Sequence, residues 1–156
     1  MKRLSLLVAL AIATLPLTAT AQTLFGATAS TNNATNRDSL AFGYNALLSN
    51  ASGTYNTALG HFSLYSNTTG TYNVASGYQA LYSNTTGSSN VASGLQALLN
   101  NTTGGSNVAS GLQALLNNTT GNYNIAIGNA AGSNLTTGSN NIDIGNTGVE
   151  GESNTR

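Results

Sequence analysis

The chain has 156 residues but no cysteine, no tryptophan, a single proline, and only four basic and four acidic residues. Without cysteine there is no disulfide framework and no thiolate metal site. With one histidine, His61, zinc ligation and base-assisted nucleophilic catalysis lack their usual partners. Asp143 stands inside an apolar segment with no carboxylate close in sequence, whereas a hard cation needs several oxygens together. No cofactor, metal or enzymatic activity is expected. Scarce charge combined with many Asn, Ser, Thr and Gly is also the composition of disordered segments. The regular spacing of the apolar residues argues for a folded array instead.

One long apolar run is present, and it lies at the start. Lys2 and Arg3 precede an apolar stretch from Leu4 to Leu17, followed by Ala19, Thr20 and Ala21. This basic, apolar and small-residue layout predicts a secretory signal over residues 1–21. The run is shorter than the ~20 residues of a spanning helix. Residues 22–156 keep two basic residues, Arg37 and Arg156, against four acids, a side-chain charge of −2. No basic patch is available for a phosphate backbone, so nucleic acid is not expected as a partner. No membrane-spanning segment is expected in the mature chain. The layout places the protein in the general export pathway.

What the chain does have is a repeat. Residues 88–104, SSNVASGLQALLNNTTG, return at 105–121 with one change, Ser88 to Gly105. Gly43, Gly60, Gly77, Gly94, Gly111, Gly128 and Gly145 follow one another at a step of seventeen. Gly53, Gly70, Gly87, Gly104, Gly121 and Gly138 keep the same step. A fixed period of this length denotes a solenoid. The chain therefore divides into a signal (1–21), a lead-in (22–35), a repeat domain (36–146) and a flexible tail (147–156).

Within each coil, segments such as YNIAIG and NNIDIG alternate in the manner of a strand with one buried face. The alternation assigns Val74, Val91, Val108, Ile125, Ile127, Ile142 and Ile144 to the core, with the small residue between each pair turned out. In the middle coils Ser76, Ser93 and Ser110 hold the second position, which predicts a thinner core there. Four residues after the glycine come Leu64, Leu81, Leu98 and Leu115, a second core ladder. This half of the coil, as in GLQALLNN, uses good helix formers but is too short for a stable helix, and is read as a second short strand. Asn-Thr-Thr-Gly segments supply turns, where Gly tolerates positive φ and Asn caps its own backbone. The expected fold is all-β: a parallel β-solenoid of 17-residue coils, stacked ~4.8 Å apart. Equivalent residues then form ladders, including Asn73, Asn90, Asn107, Asn124 and Asn141, and amide ladders stabilise stacked strands. A core this lean predicts association of several chains.

The units NIAIGN, NVASGL and NTALGH, joined by Ser/Asn/Thr/Gly turns, resemble the YadA-like head repeats of trimeric autotransporter adhesins. The resemblance covers residues 36–146. It implies a left-handed parallel β-roll, three chains tightly associated, display on a bacterial cell surface or in the extracellular space, and adhesion to a host or matrix protein or glycan. It also implies that the inward positions above are the family's core, and that the small residues between them lie where chains meet. The chain shows neither the coiled-coil stalk nor the barrel anchor of such adhesins, so the resemblance is to the head alone.

Tyr44, His61 and Tyr78 occupy one position of successive coils and form a candidate contact surface. More widely, exposed tyrosine beside Asn and Ser, as at Tyr44, Tyr55, Tyr65, Tyr72, Tyr78, Tyr82 and Tyr123, suits protein or sugar recognition; packing on the adjacent coil is the plainer reading. The Asn-Thr-Thr turns match the N-glycosylation pattern, which turn composition alone produces. Recurrent Thr pairs, such as Thr68 with Thr69 and Thr85 with Thr86, raise an alternative, an ice-binding solenoid. Adjacent strand residues face opposite sides, which works against a paired Thr array.

Overall fold

A computed structural model describes residues 38–149. The signal at 1–21, the lead-in at 22–35 and the tail beyond 149 lie outside the described residues. The chain folds as a parallel β-solenoid of about 17 residues per coil. Seven three-residue strands follow in order: β1 (Leu40–Phe42), β2 (Thr57–Leu59), β3 (Val74–Ser76), β4 (Val91–Ser93), β5 (Val108–Ser110), β6 (Ile125–Ile127) and β7 (Ile142–Ile144). They pair in sequence order, all parallel, in one sheet. The register is seventeen throughout, for example Val74 beside Val91 and Ala75 beside Ala92.

Strands β2 to β7 each bury their middle residue, and Ala41 of β1 is half-buried. Ala58, Ala75, Ala92, Ala109 and Ala126 are fully buried, and Asp143 follows them in line. The flanking Val and Ile point out: Val74 is 40 % exposed and Ile144 67 %. The expectation that Val74, Val91, Val108, Ile125, Ile127, Ile142 and Ile144 form the core is therefore corrected; Val108 is half-buried and the other six are exposed. Period-two alternation identifies which residues share a face but not which face is inside. The size of the coil decides. A 17-residue loop encloses a narrow interior, filled by the strand Ala, an Ala–Leu pair and two asparagines. Ser76, Ser93 and Ser110 accordingly notch the outer face, and the core is no thinner in the middle coils.

The Leu ladder is inside as expected: Leu64, Leu81, Leu98 and Leu115 are fully buried, each beside a buried Ala or Ser. The segment carrying it is not a second strand. Residues 44–49 and their equivalents form consecutive turns. Alternate residues are left-handed, with Gln79 at φ 56° and Leu81 at φ 53°. Leucine in that region costs about 1–2 kcal/mol. The cost is offset between coils: Leu64 N–H donates to Ala80 C=O at 3.0 Å, and Leu81 N–H to Ala97 C=O at 3.0 Å. Alternating handedness shortens the segment, so seven residues close the coil where an extended strand would overshoot at ~3.3 Å per residue.

Gly77, Gly94 and Gly111 hold φ between 141° and 144°, a region that side chains rarely adopt. A Cβ on Gly94 would also collide with the Gly111 carbonyl oxygen of the next coil. The glycine series thus marks where backbones approach most closely along the rod.

Two outcomes follow. Gly94→Ala should cost at least about 2–3 kcal/mol in denaturant unfolding, as strain and collision act together. Deleting residues 88–104 restores the same register between the remaining coils. It should leave a shorter rod that unfolds cooperatively, which circular dichroism on heating will report.

Candidate functional site

Two files of buried amides run through the interior. Asn56, Asn73, Asn90, Asn107, Asn124 and Asn141 are fully buried in the residue before each strand. Asn90 Oδ1 accepts from the Asn107 backbone N–H at 3.0 Å and from Asn107 Nδ2 at 3.2 Å. Asn90 Nδ2 in turn donates to Asn73 Oδ1 at 3.2 Å and to Gly104 C=O at 2.9 Å. The expected ladder is therefore present, and it also satisfies the backbone at the strand entry, where an unpaired buried group would be costly.

The second file comprises Asn50, Asn67, Asn84, Asn101 and Asn118. Asn84 Nδ2 donates to Asn67 Oδ1 at 2.8 Å and to its own turn's Gly87 C=O at 3.0 Å. This is the turn asparagine capping its own backbone, repeated along the axis. The file ends where Leu135 takes the next position, and the Asn118 Oδ1 atom has no hydrogen-bond partner. Because Asn67, Asn84, Asn101 and Asn118 are fully buried, the glycosylation pattern in these turns has no accessible acceptor in the folded chain.

Outside, the strand face carries a row that is aliphatic at all positions but Thr57: Leu40, Thr57, Val74, Val91, Val108, Ile125 and Ile142. Phe42, Leu59, Ile127 and Ile144 add to it at both ends, and all four are exposed. At the rim stand Tyr44, His61, Tyr78, Leu95 and Leu112, likewise exposed. The contact surface expected at Tyr44, His61 and Tyr78 is thus on the outside. The Tyr44 and His61 rings lie 6.2 Å apart.

The sequence reading singled out the tyrosines, Tyr65 and Tyr82 among them, but missed Phe62, which joins them. Phe62 meets Tyr44 edge-on at 5.4 Å and Tyr65 at 5.8 Å. Tyr65 and Tyr82 stack at 5.0 Å, and Tyr55 and Tyr72 at 4.9 Å. The seventeen-residue step between each stacked pair was the available signal.

The Thr pairs divide as well. Thr68 Oγ1 donates to Thr85 C=O at 2.9 Å, and Thr85 Oγ1 to Thr102 C=O at 3.0 Å. Only Thr69, Thr86, Thr103, Thr120 and Thr137 present an exposed rank.

Among the described residues no three His, Cys, Asp or Glu side chains gather as a metal site, and no helix is long and apolar enough to cross a membrane. Asp143 is buried in the last coil beside Gly132 and Gly148. Comparison with protein-family models, curated proteins and solved structures finds no match to this chain.

Replacing Asn90 by Ala removes the acceptor of Asn107 N–H and the donor to Gly104 C=O. Each stranded buried group costs about 1–3 kcal/mol. Asn90→Ala should lower stability by at least that amount in urea titration. Ser89→Ala, one residue away and exposed, should change it by less than about 0.5 kcal/mol.

Proposed function

We propose that the protein is a non-catalytic structural and adhesive module, exported from a bacterial cell and displayed at its surface or released. In this reading three chains associate through the strand face, each wound as a left-handed roll. The observation that carries it is the outward aliphatic row, unbroken from Val74 to Ile142, with Leu40 beyond Thr57 at its start. A soluble monomer rarely leaves a contiguous apolar patch of this kind uncovered. A Val or Ile about two-fifths exposed gains roughly 1 kcal/mol on full burial. The six aliphatic rungs therefore supply several kcal/mol per chain, enough to drive association of a rod whose own core is mostly alanine.

The surface where chains meet is then the Val/Ile row, not the small residues between its members, since those lie inside the coil. The resemblance to YadA-like head repeats supports a trimer in particular, and the apolar row supports association in general. Host or matrix proteins and glycans remain the partner classes. The ice-binding alternative draws on the Thr69 to Thr137 rank. It is the weaker reading, because the neighbouring Thr hydroxyls are spent on carbonyls and leave a single rank.

Light scattering on the purified chain should give three times the chain mass. Val91→Asp with Ile125→Asp should reduce it to one chain and leave the far-ultraviolet circular dichroism intact, as both side chains lie outside the coil. A monomeric parent chain would refute the association, and ice-growth inhibition by that monomer would favour the alternative.

A further inference from the structure

The repeat provides its own control for what the fold needs. The row of Tyr65 and Tyr82 continues as Leu99 and Leu116, and Phe62 is followed at its own position by Gln79, Gln96 and Gln113. The backbone does not change along these rows. Phe62 has φ 58° and Gln96 φ 57°; Phe62 N–H donates to Tyr44 C=O at 2.8 Å and Gln96 N–H to Tyr78 C=O at 2.9 Å. Leucine and glutamine therefore build the same coil. The aromatic residues of the first three coils are surplus to folding, and from Leu95 to Val149 only Tyr123 is aromatic.

These residues are arranged as a platform. Phe62 lies at its centre, edge-on to Tyr65 at 5.8 Å and to Tyr82 at 6.3 Å. Tyr65 and Tyr82 are parallel within 3° at 5.0 Å. Rings parallel at that separation are offset, so part of each ring face stays open. A polar group borders them. Gln79 Oε1 accepts from Gln96 Nε2 at 3.0 Å, but Phe62 interrupts the amide file on the other side. The Gln79 NH2 group is left with no protein acceptor among the described residues, beside the rings. Charge is almost absent: Asp38, His61 and Asp143 are the only acidic or basic side chains from 38 to 149, and Asp143 is buried.

We propose that this platform binds a neutral polysaccharide. The open ring faces of Tyr65 and Tyr82 receive the C–H faces of pyranose rings. The Gln79 amide and the tyrosine hydroxyls bond to sugar hydroxyls, which apolar walls with a few placed polar groups do well. Coils repeat at ~4.8 Å, close to the length of one pyranose residue, so a linear glycan lying along the rod meets one coil per sugar. An uncharged surface has nothing to match a sulfated or acidic chain. The inference rests on the adhesive reading and names its ligand class.

The test is native affinity electrophoresis of the purified full chain through gels holding a soluble β-glucan, a mannan or a galactan, with a sulfated glycan and an empty gel alongside. At least one neutral polymer should retard the chain. Tyr65→Leu with Tyr82→Leu, the residues the later coils use, should raise the apparent Kd about tenfold or more. Phe62→Gln should do likewise, and circular dichroism and mass should not change. Absence of retardation by every neutral polymer, retardation by the sulfated glycan alone, unaltered binding in both variants, or binding only to an immobilised matrix protein would each overturn the proposal. Retardation by a single-chain species would remove the trimer and leave the glycan site. A trimer that no neutral polymer retards would do the reverse.

Discussion

The structure depends on a buried asparagine that hydrogen-bonds to its own equivalent in the next coil. A carboxamide carries both a donor and an acceptor, so a column of them satisfies itself at any length. It also has a group left over for the backbone: Asn107 N–H reaches Asn90 Oδ1, and Asn90 Nδ2 reaches Gly104 C=O. Two such columns place polar groups in the interior with their hydrogen bonds met from coil to coil, except at Asn118 Oδ1, where the second column ends. They also fix the register, because a slip by one residue would set Asn90 against Ser106 or Val108 instead of Asn107 and break the column.

The other features follow from that choice of interior. Asparagine columns leave space for one Ala on the strand and an Ala–Leu pair opposite, so larger aliphatic side chains must go outside. Coils of this width bring the glycine backbones of neighbouring coils into near contact. They also need a segment shorter than a strand to close, which the alternating left-handed residues Gln79 and Leu81 provide. The last coil departs from the pattern where stacking ends. Leu135 replaces an asparagine, Gly132 replaces a leucine, and Asp143 replaces an alanine.

The sequence disclosed the array, its period, its parallel register, the Leu ladder and the Asn column, because each is a statement about which residues are equivalent. It did not disclose which side of the strand faces in. The rule that apolar residues go inside placed Val74 and Ser76 in the core, when Asn73 and Ala75 share the opposite face and are the buried pair. A polar residue at every seventeenth position, always two before a small one, was the available sign. Propensity could not reveal the turn segment either: Leu and Gln rarely adopt positive φ, and do so here only because the neighbouring coils hold them. The aromatic platform was half visible. The tyrosines were picked out by type and spacing, whereas Phe62, which meets Tyr44 and Tyr78 on one side and Tyr65 and Tyr82 on the other, joins them only once the coil closes.

Equivalent coils build the rod, and the aromatic residues of the first coils stand where Leu99, Leu116 and Gln96 serve the same backbone later in the chain. The central claim is that the interior amides hold the rod together. Hydrogen exchange of the Asn73, Asn90 and Asn107 side-chain NH2 groups, followed by NMR, tests it directly. The account predicts protection comparable to that of the backbone N–H groups of Val91 and Val108. Side-chain amides exchanging as fast as that of exposed Asn117, while the strand N–H groups stay protected, would contradict it.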